Sequence, residues 1–316
     1  MNLSHAYGAP PPMDQAERLL LQALDEGVTL FDTAALYGFG ANETLVGRVL
    51  KTHRQRITLA SKGGMAGELV DGVMKRVIDG RPEAIRRNCE DSLRRLGTDV
   101  IDLYYLHRWD KAVPVEDSVG AMARLVEAGK VRALGLSEVS AATVHRAHAV
   151  YPIVAVQTEY SLWTRNPEIA VLDACRDIGA AFVAFSPLAR AFLTGKLTAV
   201  GDLDAKDLRR TMPRFAPDAY AANLALLPGL SVVAQEAGCS LAQAALAWLL
   251  TRGAHVVPIP GTTNAAHLTE NIGAAKVRLT VDQIARLDAI VNRHTVIGAR
   301  YNAAAQADVD TEDFAA

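Results

Sequence analysis

Two kinds of segment alternate along this chain. The first kind is short, apolar and rich in β-branched or aromatic residues: VTLFDTA (28–34), ITLASKGG (57–64), DVIDLYYLHR (99–108) and VRALGLSE (131–138). VAVQTEYS (154–161), AFVAFSPL (181–188) and HVVPIPG (255–261) continue the series. Short apolar runs bounded by turn formers predict buried strands of a parallel sheet. The second kind is longer and amphipathic, and predicts helices. Asp14–Glu26 stops at Gly27, and Glu43–Lys51 follows. Pro82 and Glu83 open a helix that runs to Gly97, and Asp117–Ala128 ends at Gly129. Ala141–Val150, Pro167–Ile178 and Leu241–Thr251 complete the set.

Strict β/α alternation predicts an α/β fold with a parallel sheet. No linker divides the chain, so residues 1–301 read as one (β/α)8 barrel domain and 302–316 as an Ala-rich, acidic C-terminal tail open to disorder. A doubly wound sheet is the competitor, but Gly38-Phe39-Gly40 lacks the third glycine of a dinucleotide fingerprint. A barrel needs eight strands, and the first of these seven comes only after a full helix. An N-terminal hairpin and most of a first strand are therefore expected to be missing, leaving an open seam. The stretch Thr198–Leu230 shows no strand pattern and reads as a functional loop or lid.

Composition narrows the picture. Among 316 residues, 50 % are hydrophobic and 22 % charged, with a formal net charge of −2, so neither a nucleic-acid nor a membrane partner is expected. Arg86, Arg87, Arg94 and Arg95 recur at helical spacing as a solvated face. The three cysteines, Cys89, Cys175 and Cys239, are scattered, which argues against a disulfide framework and fits a reducing cytoplasm. No H-x-H or H-E-x-x-H occurs, so no metal is expected. Neither a secretory signal nor a membrane-length apolar run is present.

The informative polar residues sit at the C-terminal ends of the predicted strands, where barrels carry their active sites. Asp32, Lys62 and His107 end three of them, and Tyr37 follows Asp32 on the loop above. A carboxylate and an ammonium on adjacent strands keep each other charged, and a buried ammonium near a phenol draws its pKa down from ~10 toward neutral. Such a phenol protonates an alkoxide, and a histidine donates to a carbonyl oxygen. Asp32, Tyr37, Lys62 and His107 are the groups that reduction of a carbonyl by hydride needs.

Those residues carry a resemblance to a known family. Phe31-Asp32-Thr33-Ala34 with Tyr37-Gly38, Ser61-Lys62, Leu106-His107-Arg108 and Gly135-Leu136-Ser137-Glu138 occur in order. Gln157–Leu162, Phe185-Ser186-Pro187-Leu188, Ile259-Pro260-Gly261-Thr262 and Glu270-Asn271 follow. The whole set resembles the aldo-keto reductases, and Tyr160-Ser161-Leu162-Trp163 is similar to their bacterial and plant branch. The resemblance implies a (β/α)8 barrel that reduces aldehydes or ketones with NADP(H), NAD(H) remaining open. It implies Tyr37 as proton donor, Lys62 as its activator, Asp32 as the holder of Lys62, and His107 as the group orienting a small carbonyl substrate. It further implies that Ser137, Glu138 and Gln157 bind the nicotinamide carboxamide and Phe185 stacks on its ring. Ser186, Leu188, Arg190 and Leu193 would line the pyrophosphate. Thr262, Thr263, Asn264, His267, Glu270 and Asn271 would surround the adenosine end.

The chain departs from the family where Phe185 replaces a Tyr, where Ala189-Arg190-Ala191 replaces a Gly-containing turn, and where Lys or Arg is missing beside Thr262. It departs also in its late start. Two alternatives follow from the same residues: a cofactor-binding regulatory subunit with little turnover, and an inactive, N-terminally truncated product.

Overall fold

The computed structural model describes residues 1–314. Nine strands form, β1 (Leu30–Asp32), β2 (Thr58–Gly63), β3 (Met65–Val70), β4 (Val73–Ile78), β5 (Ile101–Leu106), β6 (Val131–Ser137), β7 (Ile153–Glu159), β8 (Ala181–Phe185) and β9 (Val256–Pro258). The helices are α1 (Met13–Asp25), α2 (Ala41–Leu50), α3 (Pro82–Leu96), α4 (Val115–Glu127), α5 (Ala141–Val150) and α6 (Val171–Asp177). They continue with α7 (Pro217–Leu224), α8 (Leu227–Glu236), α9 (Leu241–Leu250), α10 (Ala265–Gly273), α11 (Val281–Ile290) and α12 (Ala303–Ala307).

Local chemistry sets many of these boundaries. Pro82 opens α3 where its missing N–H costs nothing, and Gly97 closes it in the left-handed conformation. Ser240 and Gln243 form a reciprocal capping box at the start of α9. Thr280 and Gln283 do the same for α11.

All seven expected strands form one parallel sheet in the order β1-β2-β5-β6-β7-β8-β9. Strands β3 and β4 form a separate antiparallel hairpin that the sequence reading did not anticipate. Among the described residues, β1 pairs only with β2 and β9 only with β8, so the curled sheet has two edges and an open seam.

Alternation along each strand decides what faces inward. Phe31, Leu59, Tyr104, Leu106, Leu134, Leu136, Val156 and Phe182 belong to the main core, beneath the helices. Ala60, Tyr105, Ala155 and Val183 form a small cluster on the inner, concave side. The same parity sends Asp32, Lys62, Ser137, Gln157 and Phe185 inward, toward a shared space. Gly135 has no side chain because Tyr105 occupies its place: an added Cβ would lie 2.5 Å from that ring.

The stretch 198–230 is not a bare loop. Short 3-10 turns lead into α7, which starts at Pro217, and then α8. The tail also docks. Asp310 accepts from Ser140 N–H (3.1 Å), from the Ser140 hydroxyl (2.9 Å) and from the Thr143 hydroxyl (2.7 Å), at the N-terminus of α5. Lys111 Nζ donates to the carbonyls of Ala307 and Val309. Arg76 on β4 pairs with Asp308 at 2.6 Å, tying hairpin to tail. No single helix among the described residues is long and apolar enough to cross a membrane.

Candidate functional site

Lys62 is fully buried at the end of β2. An ammonium there needs every donor satisfied. Its three N–H groups find three acceptors: the Asp32 carboxylate on the neighbouring strand, the Thr33 carbonyl at 2.9 Å, and the Tyr37 hydroxyl oxygen at 3.4 Å. Gln157 Nε2 holds the other Asp32 oxygen at 2.9 Å. Because the Tyr37 oxygen accepts from Lys62, its own O–H remains free to donate. His107, which continues β5, lies with its ring 5.7 Å from the Tyr37 ring, edge-on. The structure thus brings Asp32, Tyr37, Lys62 and His107 together.

Their electrostatics differ from the expectation in one respect. Burial pushes the Tyr37 phenol above its ordinary pKa of 10.0, and the opposing pull of Lys62 does not overcome it, partly because Asp32 works against that pull. Tyr37 is held as the protonated phenol rather than tuned toward neutral. Burial would lower the Lys62 pKa, but Asp32 and Tyr37 raise it, so the ammonium persists. Burial, reinforced by Arg108 and Lys62, holds His107 well below its ordinary range, as a neutral imidazole.

These groups open into a cavity of about 1240 Å³, larger than most single-ligand pockets of ~300–1,000 Å³. It runs from Tyr37 and His107 along the ends of β6–β9 to α10. Ser137, Gln157, Phe185, Ser186, Leu188 and Arg190 line it, as do Thr262, Thr263, His267, Glu270 and Asn271. Three of the expected residues do not line it. The Glu138 carboxylate turns away to pair with Arg300, which a buried charge requires. Leu193 is wholly buried in the core, and Asn264 accepts from the His267 N–H to cap α10. Arg190 borders the cavity, but its guanidinium is committed to Glu159 at 2.9 Å. Burial alone would raise the Glu159 carboxyl, yet Arg190, Arg300 and Arg214 bring it down to about 2.

Ser186, Ala189, Arg190 and Ala191 all carry positive φ, from 48° to 79°. Such turns cost non-glycine residues energy, and the Ala189 N–H is spent inside the turn, on the Ser186 carbonyl at 2.8 Å. Past that turn stands Lys196, whose ammonium donates to His267 Nε2 at 2.8 Å. The sequence reading missed Lys196 because it searched beside Thr262; the cation comes instead from a loop far away in the chain. The turn, the flanking Phe185 ring and the Lys196 ammonium line one cavity, which fits a nicotinamide nucleotide cofactor. Trp163 stacks on Phe192 at 4.2 Å inside the core and is a packing residue. His5 and Tyr7 also line the cavity. No cluster of metal-ligating side chains occurs among the described residues.

Residues 1–292 match the model of the aldo/keto reductase family. The chain is 41 % identical over 302 residues to probable aldo-keto reductase 1 of Glycine max, covering 95 % of this chain and 86 % of that protein. It is similar to the structure of a glycerol dehydrogenase from Gluconobacter oxydans, with a TM-score of 0.85 and 30 % identity over 94 % of this chain and 91 % of that one. It is also similar to an aldo/keto reductase from Klebsiella pneumoniae in complex with NADP and acetate. There the TM-score is 0.68 and the identity 28 %, over 92 % and 89 % of the two chains.

Proposed function

The chain belongs to the aldo/keto reductase family, and from that premise we propose that it reduces aldehydes or ketones to alcohols with NADP(H), Tyr37 supplying the proton. The observation that carries this reading is the arrangement around Lys62. Its three N–H groups are spent on Asp32, the Thr33 carbonyl and the Tyr37 oxygen, which leaves the Tyr37 O–H free to donate to whatever enters the cavity.

A bound nicotinamide supplies the hydride that adds to the carbonyl carbon. The protein's own work is on the oxygen. His107, neutral, donates a hydrogen bond that orients the carbonyl and stabilises charge as it develops. Tyr37 gives its proton to that oxygen, and Lys62 stabilises the phenolate left behind. Asp32, held by both Lys62 and Gln157, keeps the ammonium in register. Ser137 and Gln157 would hold the carboxamide, and Phe185 would lie against the ring. Ser186, Leu188 and the positive-φ turn that follows would line the pyrophosphate. Thr262, Thr263, Glu270 and Asn271 would surround the adenosine. Lys196 with His267 supplies the charged donor that a 2′-phosphate wants, which favours NADP(H) over NAD(H).

The test is consumption of NADPH with a panel of aldehydes such as 4-nitrobenzaldehyde and pyridoxal. Wild type turns over members of the panel, and Tyr37→Phe loses turnover while still binding NADPH. Turnover of none of them, or full activity in Tyr37→Phe, overturns the reading.

A further inference from the structure

Tyr37 has a second histidine beside it. The His5 ring lies 5.6 Å from the Tyr37 ring, as close as that of His107 at 5.7 Å. His5 Nδ1 accepts the Gly38 N–H at 3.1 Å, which places the ring proton on Nε2. Nε2 makes no hydrogen bond among the described residues, and His5 lines the cavity. Burial lowers its pKa to about 4, so the ring is neutral under working conditions. Tyr37 is therefore flanked by two neutral imidazoles.

A simple carbonyl has work for Tyr37 and His107 at its oxygen and none for a third donor. An oxygen on the adjacent carbon lies about one hydrogen-bond length from the carbonyl oxygen, within the span of a donor beside Tyr37. We propose that His5 is a specificity-determining residue whose Nε2–H selects α-hydroxyketones and α-hydroxyaldehydes, which are reduced to vicinal diols. The inference rests on the reductase reading above. The competing role for His5, anchoring the Gly38 turn, predicts no such selectivity.

Hydroxyacetone and butanone differ by a hydroxyl in place of a methyl group. Wild type should favour hydroxyacetone in kcat/KM by about three- to tenfold, which is what one added hydrogen bond contributes. His5→Phe keeps an aromatic ring against Tyr37 but has no donor, and the hydroxyacetone-to-butanone ratio should fall to about one. His5→Gln, which restores an N–H at similar reach, should recover part of the ratio. The ratio is internal to each protein, so loss of folded enzyme cancels. Saturation-transfer NMR of the same two ligands, with NADP+ present, gives the same comparison without turnover. An equal ratio in wild type and His5→Phe by both measurements overturns the role of His5. Absence of all turnover with a preserved binding ratio overturns the reductase reading instead and leaves His5 as the selector.

Discussion

Replacing Lys62 by Met tests whether Tyr37 works through its buried neighbour. The ammonium stands 3.4 Å from the phenol oxygen. At an effective dielectric of about 20, two unit charges at that separation attract by roughly 5 kcal/mol. Asp32, paired to the same ammonium, cancels part of this, so about 2 kcal/mol of net phenolate stabilisation remains, roughly thirtyfold in rate. Alcohol oxidation requires the phenolate. Since the Tyr37 pKa lies above 10.0, the phenolate fraction in wild type should rise about tenfold per pH unit through neutral and mildly alkaline pH. Carbonyl reduction requires the phenol, which is still about nine-tenths or more protonated at pH 9, so reduction should be flat to that point. Single-turnover kinetics in both directions, from pH 6 to 9, isolates the chemical step. Lys62→Met should slow oxidation by about thirtyfold at fixed pH while preserving its slope. Two results would refute the reasoning: wild-type reduction that falls with a midpoint near neutrality, or an oxidation rate within threefold of wild type in Lys62→Met.

Three further substitutions probe separate parts of the molecule. Gln157→Leu removes the donor on the second Asp32 oxygen, and both kcat and the affinity for cofactor should fall, each by about tenfold, measured by steady-state kinetics and fluorescence titration. Lys196→Ala should weaken NADPH by about tenfold and leave NADH unchanged; an equal loss for both would place the 2′-phosphate elsewhere. Asp310→Ala strips three hydrogen bonds from the start of α5 and should destabilise the fold by about 1–2 kcal/mol, read as a lowered midpoint in urea.

The scaffold was readable in the chain because its strands are short apolar runs separated by strong helix signals. The convergence of Asp32, Lys62 and His107 followed from their places at strand ends. Other parts were hidden for physical reasons. The β3–β4 hairpin is exposed, with Leu69, Val73 and Met74 facing solvent, so it lacks the apolar alternation of a half-buried strand. Its signal was the turn: Asp71-Gly72, both with positive φ, is the usual two-residue hairpin connection. Pro217 and Asp218 likewise announced α7 inside a stretch read as loop. The Glu138–Arg300 pair was hidden because the two residues lie 162 positions apart and no local pattern links them. The direction of the Tyr37 shift was equally invisible. It depends on how completely the phenol is buried, and a list of neighbours does not give that.

Its place on two neighbouring strands gives the Asp32–Lys62 ion pair a mechanical meaning. β1 is three residues long and, among the described residues, fastened by backbone bonds along one flank alone. Asp32 is its last residue, and Lys62 belongs to the strand beside it. Their charge pair thus pins β1 to β2 through side chains, beside the backbone ladder that joins Leu30–Asp32 to Thr58–Ala60. Hydrogen exchange should report this pin, with the amides of Leu30–Asp32 exchanging faster in Lys62→Met than in wild type. A substitution at either residue would then be read in two ways, in proton transfer and in how firmly β1 is held to its neighbour.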